Sequence, residues 1–476
     1  MKRHRTLIIP LLALLISTLA CNLTEPPTPT FLPPPTFTPP LPIDVVTHTP
    51  APPTPTPAEV AAVPTPTPTP PLPVIDASIG YYLEQVDNDR LLISVNELVR
   101  FNTRYVNADP TSTDSGIGGA REWLFRQFNQ IEQEARARNV PFFVMSHNFQ
   151  LTWGGVTTTQ TNVYATLPGA GERANEVIIV GAHYDSISEV PLISAPGADD
   201  NASGVAVMLE CARIMAQTRH QATVVFVAFS AEETNREGSR AFVRDVVRAE
   251  GWDVRAMINL DIVGSQTGAN GEIIGDRVRI FSATPNESAS RHIARIFHLT
   301  AATYVPDFVL DVQSTTDREG RYGDHMSFSE AGYPAVRLTE SAEIPSLTNT
   351  SADRVDRISA RYMARVARVT LATLLVLADG PAPPTNIVFD SAGGIGASAA
   401  DAMRLSWTAP PNAAGYVIAM RSANSLTYDR WFMVGAPNAF DWSSSAFAGL
   451  NHVAIAAVDA NGRQGPFSPE ILVPPR

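Results

Sequence analysis

The sequence predicts an α/β fold with helices on both faces of its sheet, followed by a small all-β sandwich at the C-terminus. Short apolar runs such as VIIVGA (177–182) and VVFVAFS (224–230) alternate with stretches of helical period such as VAVMLECARIMAQ (205–217). Buried strands that alternate with amphipathic helices put helices on either side of a sheet. After Gly380 the pattern changes to short alternating strands punctuated by Gly, Asn and Pro, the pattern of a sandwich.

The elements follow in order once the composition turns globular near Ile75. Helical patterns at LISVNELVRFNTRY and GGAREWLFRQFNQIEQEARAR precede strand-like FFVMSHNFQLTW and TNVYATLP. Then come strand VIIVGA, helix VAVMLECARIMAQ, strand ATVVFVAFS, a helix near GSRAFVRDVVRAEG and strand AMINLDIVG. A helix at ESASRHIARIFHLT, the segment DHMSFSEAG, strand YPAVRLTE and a long helix ending in TLLVLA complete this region.

Composition bounds the function. At 476 residues and 44% hydrophobic content the chain has room for two or three domains with a sizeable core. A formal charge of -12 with no basic patch excludes a nucleic-acid surface. Lys2 is the sole lysine, which excludes Schiff-base chemistry and a P-loop beyond the leader. Cys21 and Cys211 offer no disulfide framework, and Cys211 reads as a small core residue.

Residues 1–21 read as an export leader. Lys2, Arg3 and Arg5 form its basic start, and the apolar Leu7–Ala20 is too short for a comfortable membrane span. The ending STLAC resembles a lipoprotein cleavage site with Cys21 as the lipid-bearing residue, although Thr18 stands where such sites favour Leu. Ordinary cleavage near Ala20 is the alternative. Residues 22–75 are Pro/Thr-rich, with repeated PTPTP units, and form an extended spacer that reaches on the order of 100 Å. The expectation is an exported protein, either secreted or attached to a membrane through Cys21.

The chemistry concentrates at strand ends. His183 and Asp185 follow VIIVGA, and Asp199 and Asp200 precede a helix. Glu232 and Glu233 follow VVFVAFS, Asp261 sits in INLD, and His325 opens the HMSF stretch. Carboxylates this close to apolar strands are costly unless paired or metal-bound. Any one of them is as well explained as a helix cap or a surface charge. Five such points at strand ends are a rarer accident. Histidines and carboxylates without cysteine suit two zinc-like ions about 3.5 to 4 Å apart, bridged by a carboxylate and a water.

The motifs AHYDS, GADDNASG, AEE, NLD and DH with a following GYPAV resemble the secreted co-catalytic zinc aminopeptidase family, of bacterial leucyl type. That family also has glutamate-carboxypeptidase-like and glutaminyl-cyclase-like branches. The resemblance covers about residues 80–378, and its spacing is matched, with Glu232 32 residues after Asp200 and Asp261 28 after Glu233. It implies a mixed, mostly parallel sheet of zinc-exopeptidase type, two Zn2+ per chain and peptide substrates. His183 and Asp261 would be ligands of one ion, Glu233 and His325 of the other, and Asp200 rather than Asp199 the bridge. Asp185 would orient the ligand histidine and Glu232 would be the general base. The chain departs from the family at NTSADRVD, where Asn349 and Thr350 stand in place of a frequent His-Thr pair.

Other residues carry less. Ile262 and Met326, beside expected ligands, are candidate pocket walls, with core packing favoured for Met326. His147, His292 and His298 lack ligand partners, and Trp153 packs near a turn. No GxSxG occurs, so a serine hydrolase has no support. At 381–476, MRLSWTAPPNAAGYVIAMRS and NHVAIAAVDANGRQGPFSPE resemble a fibronectin type III domain, carried by the Trp407 and Tyr416 strands. A spacer is the simplest role, with cell-wall or glycan contact and substrate positioning as alternatives. The reading at this stage is an exported di-zinc aminopeptidase. A carboxypeptidase or glutaminyl cyclase of the same fold is the first alternative, and a binding protein with an inert peptidase domain is the second.

Overall fold

Eight strands form one sheet: β1 Phe143–Trp153, β2 Val156–Leu167, β3 Glu176–His183, β4 Thr223–Phe229, β5 Asp253–Leu260, β6 Arg277–Ser282, β7 Val309–Val312 and β8 Ala335–Glu340. The order is β1-β2-β4-β3-β5-β8-β6-β7. The inner strands β4, β3, β5 and β8 are parallel neighbours. Antiparallel pairings bring in β2 and β1 on one side and β6 on the other. This computed structural model describes residues 76–391, 402–435, 438–443 and 448–474. The expected leader, the Pro/Thr-rich linker and Cys21 lie outside the described residues.

The expected strands are present, and two more, β6 and β7, were not expected from the sequence. Eight helices of the α type surround the sheet: α1 Ala77–Glu84, α2 Asn88–Val99, α3 Gly116–Ala137, α4 Gly204–Met215, α5 Glu237–Phe242, α6 Ala289–Tyr304, α7 His325–Glu330 and α8 Ala360–Ala378. The period of two along β3 sorts its side chains between the faces. Ile178, Val180 and Ala182 join the cluster built with α2, α3, α4, α6 and α8. Val177 and Ile179 join the cluster that holds Phe229, Phe242 and Phe328. A sheet covered on both faces needs a strand apolar at every position, and residues 177–183 are all buried.

The C-terminal region adds β9 Thr385–Ser391, β10 Ala402–Thr408, β11 Gly415–Arg421, β12 Arg430–Gly435, β13 Ala439–Ser443, β14 His452–Val458, β15 Gln464–Phe467 and β16 Ile471–Leu472. They form two antiparallel sheets, β13-β10-β9 and β12-β11-β14-β15, with β16 against β14. Trp407 and Tyr416 meet edge to face at 4.8 Å in their shared core. The opposite face of β11 and β14 presents Val417, Ala454 and Ala456 to the cluster that contains α8. Glu470 ties the contact, with Arg421 at 2.7 Å and Arg295 of α6 at 3.4 Å.

What positions the chemistry is the loop between β3 and α4. Arg104 is fully buried and donates to the carbonyls of Tyr184 (2.6 Å), Pro196 (2.6 Å) and Gly197 (2.9 Å). Its backbone N–H donates to the Ser186 hydroxyl at 3.1 Å, and that hydroxyl donates to the Ala195 carbonyl at 2.7 Å. Both ends of the loop are thereby bound to one side chain. Glycine is required where the loop enters α4, since a Cβ on Gly204 would lie 2.2 Å from the Leu260 carbonyl oxygen. Arg104→Met leaves these carbonyls buried without donors. We expect it to lower stability by about 3 kcal/mol or more, read as a drop in the urea midpoint at unchanged slope.

Candidate metal centre

The parallel strands deliver their carboxyl ends to one place. His183 is the last residue of β3, Asp261 lies one residue past the end of β5, and Glu232 and Glu233 lie shortly after β4. Asp200 sits in the kinked segment Ala198–Ser203 that leads into α4, with a non-helical backbone (φ -110°, ψ 89°). The His183 Nε2 is the hub. It stands 3.1 Å from Asp200 Oδ1, 3.5 Å from Asp261 Oδ1 and 3.9 Å from Glu232 Oε2. Two donor sets form around it, His183 with Asp200 and Asp261, all buried, and His183 with Glu232 and Glu233.

The opposite ring nitrogen is held from below. His183 Nδ1 lies 3.2 Å from the Asp185 carbonyl oxygen and 3.6 Å from the Asp185 carboxylate. That carboxylate also accepts from the backbone N–H groups of Glu232 (3.0 Å) and Glu233 (3.1 Å). Asp185 therefore fixes the imidazole and the β4 loop together. Of the aspartate pair, Asp200 faces His183, while the Asp199 carboxylate accepts from the Gly264 N–H at 2.7 Å. Asp353 clamps the pair from behind, accepting from the N–H groups of Asp199 and Asp200, each at 2.9 Å.

The charges conflict unless cations are present. Burial raises the Glu233 carboxyl well above the usual range, and Asp200 and Glu232 raise it further. Burial raises Glu232 likewise, with Asp261 and Asp324 adding to it against the pull of His183. At Asp261 burial works in the same direction, but Arg337 and His183 outweigh it and hold the carboxyl below its usual range. The Arg337 guanidinium lies 3.2 Å from Asp261 and 3.0 Å from Asp317. One guanidinium does not neutralise the remaining acids, and the buried Glu233 Oε1 has no partner. An imidazole among convergent carboxylates, with no thiolate, is a donor set that fits zinc.

Comparison with known proteins agrees with this chemistry. Residues 162–374 match the model of Peptidase family M28. A probable zinc metalloprotease of Pyricularia oryzae is 33% identical over 352 residues, spanning 66% of this chain and 69% of its own length. The chain is a zinc metallopeptidase of family M28. A second probable zinc metalloprotease, from Pyrenophora tritici-repentis, is 29% identical over 436 residues and spans 83% of this chain and 97% of its own. Among solved structures, the LapA aminopeptidase of Legionella pneumophila has the same fold, with a TM-score of 0.51 at 19% identity. It covers 64% of this chain and 76% of its own.

The metallopeptidase departs from the sequence-based ligand set at one position. His325 is not brought into the group around His183. Its Nε2 faces the Thr316 carbonyl at 3.3 Å and Asp317 at 3.6 Å, and its Nδ1 is buried without a partner. It communicates with the centre through Asp317 and Arg337. The preceding residue is Asp324. It is fully buried, neither of its carboxylate oxygens has a partner, and burial pushes it up to about 7. Neither Asp324 nor His325 joins the two donor sets around His183, and sequence reasoning did not single out Arg337 or Asp353.

A cavity of about 470 Å³ opens onto the centre. Asp200, Glu232, Glu233 and Asp261 line it together with Ile262, Asn349 and the guanidinium-bearing Arg236, Arg240 and Arg321. Ile262 is a candidate wall residue that the cavity does contain, whereas Met326 is not among the lining residues. His147, His292 and His298 are engaged elsewhere, with Asp245, Tyr428 and the Leu310 carbonyl. Asp185→Asn removes the charged acceptor shared by His183 and the β4 loop. Its expected effect is a loss of roughly 10–100-fold in zinc affinity with the far-UV circular dichroism retained, measured by competition with a chromogenic chelator.

Proposed function

We propose that the metallopeptidase is an exported aminopeptidase with two zinc ions, acting on peptides. His183, Asp200 and Asp261 would hold one ion, and Glu233 would share Asp200 for the other. The observation that carries this reading is the place of Glu232. Its carboxylate lines the cavity, lies farther from His183 Nε2 than Asp200 or Asp261 does, and its backbone is clamped to Asp185. A carboxylate fixed beside the His183, Asp200 and Asp261 set without belonging to that set is placed for proton transfer. Bound zinc lowers the pKa of a water toward neutrality and polarises the scissile carbonyl. Glu232 takes the proton of the attacking water on a carboxylate oxygen and returns it to the leaving amine nitrogen. The dications also oppose the neighbouring acids that raise Glu232. Export rests on the basic, apolar leader and the Pro/Thr-rich spacer, and the aminopeptidase assignment on the motif resemblance, with the Legionella aminopeptidase sharing the fold.

A second reading, release of C-terminal residues, is favoured by Arg236, Arg240 and Arg321 in the cavity lining, because guanidinium groups recognise carboxylates. Chromogenic Leu and Arg substrates with a free amine, set against N-acylated peptides with a free carboxylate, separate the two. We expect wild type to turn over the former. Glu232→Gln should lower kcat by roughly 10²–10⁴-fold at unchanged zinc content. A wild type that binds zinc, ignores every free-amine substrate and trims N-acylated peptides would establish the carboxypeptidase reading instead.

A further inference from the structure

The two sides of the centre are unequal in their donors. One side has an imidazole, His183, facing the buried Asp200 and Asp261. On the other side stands Glu233, whose Oε1 has no partner and whose Oε2 accepts from the Asn349 side-chain amide at 3.2 Å. Among the described residues no second imidazole lies with these groups, because the His325 ring is turned to Thr316 and Asp317. Glu233 clusters with Glu232 and His183; if the His183 imidazole serves the first position, the further donors that line the cavity with Glu233 are Asp200 and Asn349.

Asn349 is held where it is. It adopts a left-handed backbone (φ 59°), which Asn tolerates better than most residues. The next residue, Thr350, donates to the Leu347 carbonyl at 2.7 Å, and the Ser351 N–H donates to Glu189 at 2.9 Å. Asp353, in the same loop, clamps Asp199 and Asp200. The loop that carries Asn349 is thus tied to the residues it would join. A primary amide presents a donor or an acceptor to one point by a half-turn of its terminal torsion. Beside a bare carboxylate it turns its NH2 inward, and beside a cation it turns its oxygen.

We propose that Asn349 is a metal ligand, closing with Asp200 and Glu233 an all-oxygen second position. This position holds zinc more loosely than the His183 position and admits hard dications such as Mn2+. Imidazole suits zinc, whereas carboxylate and carbonyl oxygen suit Mn2+ and Mg2+, and a neutral amide adds less to zinc affinity than an imidazole. The inference rests on the two-metal reading above, and it fixes the difference between the two positions.

The test is metal binding rather than turnover. Full-length protein freed of metal by chelator dialysis is titrated with Zn2+ by calorimetry, with bound metal counted by mass spectrometry. Wild type should show one tight and one weaker zinc, and excess Mn2+ should displace the weaker one and spare the tight one. Asn349→His should tighten the second position by roughly 10–100-fold, the size of effect expected from altering one group around a metal. Asn349→Ala should weaken the second position further and leave the first within about twofold. His325→Gln should move neither. Two zinc ions of equal affinity in wild type overturn the inference, as does loss of the second ion in His325→Gln with Asn349→Ala unaffected. Peptide turnover followed in parallel keeps the readings apart. An active enzyme with two equally tight zinc ions removes this inference alone, and a protein that binds no zinc removes both.

Discussion

Carboxylates crowded around one imidazole, at the end of a sheet that buries both its faces, set the terms on which this molecule is built. Acids at His183 repel one another in a low-dielectric place, and each is tolerable only where something positive answers it. Arg337 answers Asp261 and Asp317, backbone N–H groups answer Asp185 and Asp353, and bound zinc would answer the remainder. The same constraint gives the centre its function, because a site that needs cations to be stable is also one that can hold a Lewis acid in a defined geometry.

The support around the centre is built from bonds that reach across long sequence distances. Arg104, on the segment after α2, holds the loop that contains Asp200. Asp353, before α8, holds the aspartate pair itself. Asp185 holds both the imidazole and the β4 loop. Each clamp joins elements that are distant in the chain, so the positions of the donors depend on the whole α/β unit being folded. The C-terminal sheets belong to that unit physically. Their inner strands share a core with α8, and the ion pairs of Glu470 join them to α6.

Much of this was legible beforehand, and for local reasons. His183 ends β3 and Asp185 follows two residues later, and the burial of 177–183 follows from an apolar run. The strands β6 and β7 escaped notice because RVRIFS carries charge at alternate positions on a sheet margin and VLDV is only four residues long. Arg337 escaped for a different reason. A lone arginine inside an apolar strand gives no indication of which distant carboxylate it will meet.

The sequence by itself determined that acids and histidines would gather at the carboxyl ends of strands, because each lies next to the apolar run that places it. Tertiary structure alone decided where the His325 ring lies. The packing of α7 turns the His325 imidazole toward Thr316 and Asp317. The position that His325 was expected to fill is instead approached by Asn349, from a loop whose path is set by contacts to Glu189, Asp199 and Asp200. No local pattern encodes those contacts, since each one spans well over a hundred residues of chain.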